Sequence, residues 1–410
     1  MISRALGALL AQGAQAGVSF VLQVLVARLL GIEELGRFAI LYGVIVIATG
    51  IVSGVVGDSL VVLDRGDGVV RWALQATTLT LSAAAGVTGA VVFLAIGLIT
   101  PLEALLFATA TAAFTCEEVL RRLLMAHFGF LRVVAADLGG FALGLALILI
   151  VTVTASPSLA LVLGGITLGQ LVALVLAVLL LPRVERSLAP PQPGGLGTVL
   201  AYGTWRGLQQ LLRPGLLTAM RLLVGVAAGL AAVGLLEAAR VYVAPALLAV
   251  SGLTSFLFVR YARDRDHPLG AVLRRADLTV GALVAGTVVM GVIGVALLPW
   301  LGPLLFGVHP DAGVVIGWLA FTVAVAATTP YGSLAAVHGG QRRVFAIRLG
   351  DSLLSLAGIA VVLLLGASPG WVPYVLAGGA LLGGLAIRFL VLVPRARRDR
   401  GDGLPEGAGA

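Results

Sequence analysis

The sequence predicts an all-α polytopic membrane protein of about twelve transmembrane helices, arranged as two parallel six-helix lobes. Three observations carry the prediction. Hydrophobic residues make up 60% of the 410-residue chain and charged residues 11%, with a mean hydropathy of +1.09. An ordinary soluble domain carries roughly 25% charged residues. Apolar stretches of the ~20 residues needed to cross hydrocarbon recur from end to end. Finally, Arg residues gather in alternate connections between those stretches, the pattern that orients membrane helices.

The apolar segments run at about 5–28, 38–63, 72–99, 102–124, 133–155, 159–181, 199–227, 233–258, 276–298, 313–336, 346–367 and 372–393. The N-terminal stretch shows no convincing cleavage site and is expected to remain as span one. All 27 basic residues are Arg. Twenty lie at the two ends and in the connections after even-numbered spans, and five lie inside spans. Only Arg28 and Arg37 occupy the other connections. The bias places both termini in the cytoplasm, as an even number of spans requires. It also accounts for the net charge of +8 without a nucleic-acid partner. The single Cys116 offers neither a disulfide framework nor a thiolate metal site.

The longest polar interruption, 182–198, contains Pro190, Pro191, Pro193, Gly194 and Gly195. It reads as a cytoplasmic linker between an N-terminal lobe at 1–181 and a C-terminal lobe at 199–394. The tail at 395–410, Arg-rich and then rich in Gly, is expected to be disordered.

Internal similarity supports the two lobes. HFGFLRVVAADLG at 127–139 and HGGQRRVFAIRLG at 338–350 coincide at seven of thirteen positions, at an offset of 211. Gly31 and Gly36 correspond to Gly229 and Gly234 at an offset of 198. A repeated six-helix unit keeps its orientation, so the repeats are parallel, and transporters place substrate sites between such lobes.

The informative chemistry lies in span seven, which carries Arg206, Gln210, Arg213 and Arg221. At ~100° and ~1.5 Å per residue, the three Arg share one face over ~22 Å. An Arg near the bilayer centre costs at least about 2.5–3.5 kcal/mol, so this face should meet water or an anion. Span one shows Gln12, Gln15, Ser19 and Gln23 on one face, and the 198 offset sets Gln12, Gln15 and Gln23 on Gln210, Arg213 and Arg221. The two stripes are expected to line a central cavity for an anionic head group, because guanidinium pairs bidentately with phosphate. The competing reading pairs Arg221 or Arg240 with Glu237 and lets Arg206 reach the interface. Asp58, Glu237 and Asp351 are the candidates for coupling to a cation, H⁺ or Na⁺. Glu117 and Glu118 stand four residues from Arg121 and Arg122, where helix-end ion pairs explain them. No metal-ligand cluster or phosphate loop points to an enzyme.

ARLLGIEELGRFAIL at 27–41 resembles the first-loop sequence of Wzx-type polysaccharide flippases of the MATE-like MOP superfamily. Arg28, Leu30, Gly31, Glu33, Glu34, Gly36 and Phe38 carry the likeness. VGLLEAARVYVAPALLAV at 233–250 and LLFG at 304–307 are similar to later parts of that family. The resemblance implies a two-lobed helical bundle that moves a polyprenyl-pyrophosphate-linked oligosaccharide across the cytoplasmic membrane by alternating access. It implies no cofactor beyond a coupling cation, and its candidate partners are glycosyltransferases or a polysaccharide polymerase. Two alternatives stay open: a MATE-like exporter of small amphiphiles, and a non-transporting scaffold for envelope-synthesis enzymes.

Overall fold

The computed structural model describes residues 2–192, 194–264 and 267–401, and among them all regular structure is helical. Twelve long helices follow one another. They are α1 (Ile2–Leu30), α2 (Ile32–Val62), α3 (Gly68–Ala95), α4 (Pro101–Ala126), α5 (Phe130–Thr154) and α6 (Leu159–Leu180), then α7 (Leu196–Ala228), α8 (Leu230–Arg263), α9 (Leu269–Phe306), α10 (Ala312–Val337), α11 (Gln341–Leu364) and α12 (Pro369–Arg398). Eleven are long and apolar enough to cross a membrane. The exception, α4, has 26 residues and is long enough, but it carries Glu103, Glu117, Glu118, Arg121 and Arg122.

Local chemistry sets the helix ends. Asp67, Ser158 and Asp311 accept N-cap hydrogen bonds from the backbone of α3, α6 and α10. Thr100 and Glu103 form a reciprocal capping box behind Pro101 at the start of α4. Each such cap is worth about 1 kcal/mol. The polar connection expected at 260–275 shrinks to 264–268, because α8 and α9 continue beyond their apolar cores. Arg260, Arg263, Arg274 and Arg275 therefore sit on helix ends. Arg is a good helix former, and extending an existing helix is cheap.

The chain divides into two compact units, Met1–Leu222 and Leu223–Ala410. The division falls inside α7, whose N-terminal part packs on α2 through glycine. A Cβ on Gly54 would stand 2.6 Å from Gly207 Cα, and one on Gly207 would stand 2.8 Å from Val55 Cγ2. At this crossing α2 passes through a π-helical turn at Ser53–Gly57. A second seam joins α5 and α6, where Gly140 and Gly144 meet the backbone of Gly169 and Gly165. Such contacts let apolar helices approach closely where burial of hydrophobic surface gives no drive. In the second unit α12 passes through a π-helical stretch, Ile387–Leu392, and continues as helix from Val393 to Gly401. Thus 395–401 of the expected disordered tail is helical, with Arg395 donating to the His338 carbonyl at 2.7 Å. Residues 402–410 lie outside the described residues.

The repeated loops fold alike. His127 and His338 close α4 and α10, each donating its backbone N–H to the carbonyl four residues back at 3.3 Å. Gly129 N bonds the Leu124 carbonyl and Gly340 N the Ala335 carbonyl, both at 2.9 Å. Phe128 and Gly339 both take positive φ, 57° and 78°. Gly31 (φ 88°, ψ 178°) and Gly229 (φ 84°, ψ 170°) likewise start α2 and α8 in a region open only to glycine.

Candidate functional site

The residues of the expected polar stripes separate into two groups. Arg213 stands at the middle of α7, and the helix runs unbroken through Pro214. Arg213, Gln210 and Gln12 are exposed, and Arg206 is half-buried. Arg221 is buried against α2, where a Cβ on Gly43 would lie 3.0 Å from its Nη1. Gln23 is buried and donates to the Ser19 carbonyl one turn back, at 3.1 Å. Gln15 is half-buried and accepts from Arg121 Nη1 at 2.6 Å.

The three coupling candidates each lie against an Arg. Asp58 pairs with Arg122 at 2.8 Å, and Asp351 with Arg348 at 3.2 Å. Glu237, buried, accepts from Arg240 Nε at 2.9 Å. The Glu118 carboxylate holds Arg121 at 3.3 Å and Arg122 at 3.0 Å, as helix spacing predicts.

Glu117 behaves differently. It faces a cavity of about 60 Å³ in the first unit, together with Asp137, Gln15, Ser19, Tyr42 and Gln170. The rest of the wall is apolar, with Phe114, Phe141 and Ile148 among its side chains. Asp137 lies on α5 and meets Arg121 Nε at 3.2 Å, while Arg121 Nη2 donates to the Ala11 carbonyl at 3.0 Å. Ser19 and Tyr42 share a 2.6 Å hydrogen bond at the α1–α2 side. The glycine seam makes room here, since Gly144, Gly165 and Gly169 all line the cavity. Sequence reasoning passed over Asp137. The available signal was an acidic residue inside an apolar segment, facing a helix that offers Arg121.

A second missed cluster lies in the second unit. Asp277 of α9 takes a bidentate bond from Arg388 of α12, at 3.1 and 2.9 Å, and accepts from the Tyr331 hydroxyl at 2.7 Å. Arg388 sits in the π-helical stretch and lies 4.7 Å over the Phe389 ring. Among the described residues, no three His, Cys, Asp or Glu side chains come together to hold a metal ion.

The same helical arrangement occurs in solved transporters. An inward-facing multidrug resistance MATE family transporter of the MOP superfamily superposes with a TM-score of 0.68 at 17% identity, over 95% of this chain and 96% of that one. The fold is that of the MATE transporters. An outward-facing MATE family transporter gives 0.64 at 14% identity, covering 98% of this chain and 95% of that one. A MOP superfamily transporter from Pyrococcus furiosus, described as having a binding pocket of reverse polarity that suggests a different function, gives 0.62 at 17% identity. That match covers 97% of this chain and 96% of the other. No family model and no curated protein matches the sequence.

Proposed function

We propose that this chain is an alternating-access transporter of the cytoplasmic membrane that moves an anionic, polyprenyl-pyrophosphate-linked oligosaccharide. The observation that carries the reading is the position of Arg213, an exposed residue halfway along the 33-residue α7. At ~1.5 Å per residue it sits ~25 Å from either helix end, close to the bilayer midplane. Facing lipid there would cost at least about 2.5–3.5 kcal/mol, so the face is read as bordering water. Arg206 and Gln210 lie on the same helix, Gln12 is exposed on α1, and a diphosphate offers acceptors matched to guanidinium. Likeness to MATE folds in inward- and outward-facing forms supports the alternating-access part of the proposal.

Coupling to H⁺ or Na⁺ is assigned to the Glu117–Asp137 pair in preference to Asp58, Glu237 and Asp351. Both carboxyls border one cavity, which Asp58, Glu237 and Asp351 do not line. The same acidic cavity favours a second reading, export of a cationic amphiphile.

Mass spectrometry of lipid-linked saccharides separates the two readings. In a strain lacking this protein, a polyprenyl-linked oligosaccharide should accumulate, be cleared by the wild-type chain and persist with Arg213→Gln. No accumulation removes the flippase reading and leaves the exporter.

A further inference from the structure

The segment expected to link the lobes lies within the first unit and is pinned there over a second cavity. Arg71 Nη2 donates to the Val184 carbonyl at 2.7 Å, Gln75 Nε2 to the Ser187 carbonyl at 3.2 Å, and the Ala189 N–H to Gln75 Oε1 at 2.9 Å. Glu185 accepts from His127 Nε2 at 3.1 Å. Residues 184–189 therefore form a strap across the Arg-rich ends of α3 and α4. Beneath it lies a cavity of about 80 Å³.

The cavity is amphipathic. Arg65, Arg71, Gln75 and Glu185 line it together with Leu60, Leu74, Leu120 and Leu123. Arg65 is the unusual member. Its Nη1 is shut off from solvent and has no hydrogen-bond partner among the described residues, and the nearest carboxylate oxygen, Glu185 Oε1, is 3.8 Å away. A buried guanidinium nitrogen without an acceptor is costly, so the arrangement calls for an anion. The other nearby acids are committed: Asp64 accepts from Gly66 N, and Asp67 caps α3 through Val69 N, both at 2.9 Å. Charged and apolar side chains alternate on the surface around the cavity. Val61 and Val62, beside Leu60, and Val184 and Leu188, flanking Glu185, are all strongly exposed, as residues facing lipid are.

We propose that this cavity binds the phosphate of an anionic amphiphile, with Arg65 and Arg71 holding the head group and the leucines taking the start of its chain. Glu185 competes with the phosphate for Arg65. The site belongs to the membrane surface, not to the mid-helix Arg213 face, and it does not rest on the transport reading.

Native mass spectrometry of the full chain, released from detergent with added phosphatidylglycerol or phosphatidylcholine, tests the proposal. The wild-type chain should retain phosphatidylglycerol in preference to phosphatidylcholine. Arg65→Gln should weaken that retention by about tenfold, the loss of one charge-assisted bond. Glu185→Gln should strengthen it, because the competing charge is gone while the amide still bonds His127. Damage to the strap lowers retention in both variants, so opposite signs separate charge recognition from misfolding. Equal retention in wild type and Arg65→Gln overturns the proposal, and so does a loss in Glu185→Gln. Competition by inorganic phosphate distinguishes the sources: displacement marks a site read by phosphate alone, and resistance marks one that needs the lipid chain.

Discussion

Replacing Arg121 by Leu probes the most heavily charged interior of the first unit. Arg121 is 4% exposed, and its guanidinium meets Gln15, Glu118, Asp137 and the Ala11 carbonyl within 3.3 Å. Glu117 and Glu118 beside it are 5% and 6% exposed. Removing the cation leaves Asp137 and Glu117 without a positive neighbour on this face, while Glu118 keeps Arg122. Breaking a buried pair in this way costs about 3–5 kcal/mol. At roughly 2–4 °C per kcal/mol for a unit of 150–250 residues, the melting temperature should fall by about 6–20 °C. Adding Asp137→Asn to that variant should recover more than half of the loss, because the carboxylate stranded by the first change is then neutral. Thermal unfolding of the detergent-purified chain reads both effects. A fall below about 3 °C, or a further fall on adding Asp137→Asn, refutes the charge argument.

Three further outcomes follow from local geometry. Gly54→Leu and Gly207→Leu should prevent the α2–α7 approach and abolish the folded monomer in size-exclusion chromatography, whereas Gly17→Leu, with open space at its Cβ, should elute as wild type. Gly31→Ala and Gly229→Ala should each destabilise by about 1–3 kcal/mol, since φ near +85° with ψ near 180° is closed to a side chain; unchanged melting disproves the assigned backbone. In a proteoliposome transport assay with an imposed ion gradient, Asp58→Asn and Asp351→Asn should keep wild-type coupling, while Asp137→Asn should lose it.

The helices were readable because their signal is written in hydropathy, and burying a long apolar stretch in lipid leaves the backbone one common solution, the helix. The deep Arg of α7 were readable for the same reason, since a guanidinium stands out against apolar neighbours. What the spacing could not reveal was which of them faces inward. Arg206 and Arg221 share a face on an ideal helix, yet Arg221 is buried where α2 presents Gly43, a fact held by another segment. Asp137 was passed over because its partner Arg121 lies on a different helix. The Pro and Gly of 182–198 suggest a linker between lobes and say nothing of what holds it. Arg71 and Gln75 hold it through backbone carbonyls, which belong to every residue alike and leave no mark in composition. The tail looked disordered by composition, yet its first residues extend α12.

The paired turns at His127 and His338 have a consequence for heredity. Their shared bonds run between peptide groups, so mutation can rewrite the side chains of either copy without disturbing the scaffold beneath. Position 137, on the helix that follows one turn, is acidic, and the matching position 348, on the helix that follows the other, is Arg, yet the two turns have the same bonds. Turns held by the main chain in this manner let matching positions carry opposite charges and divide the labour, while the path of the backbone stays the same.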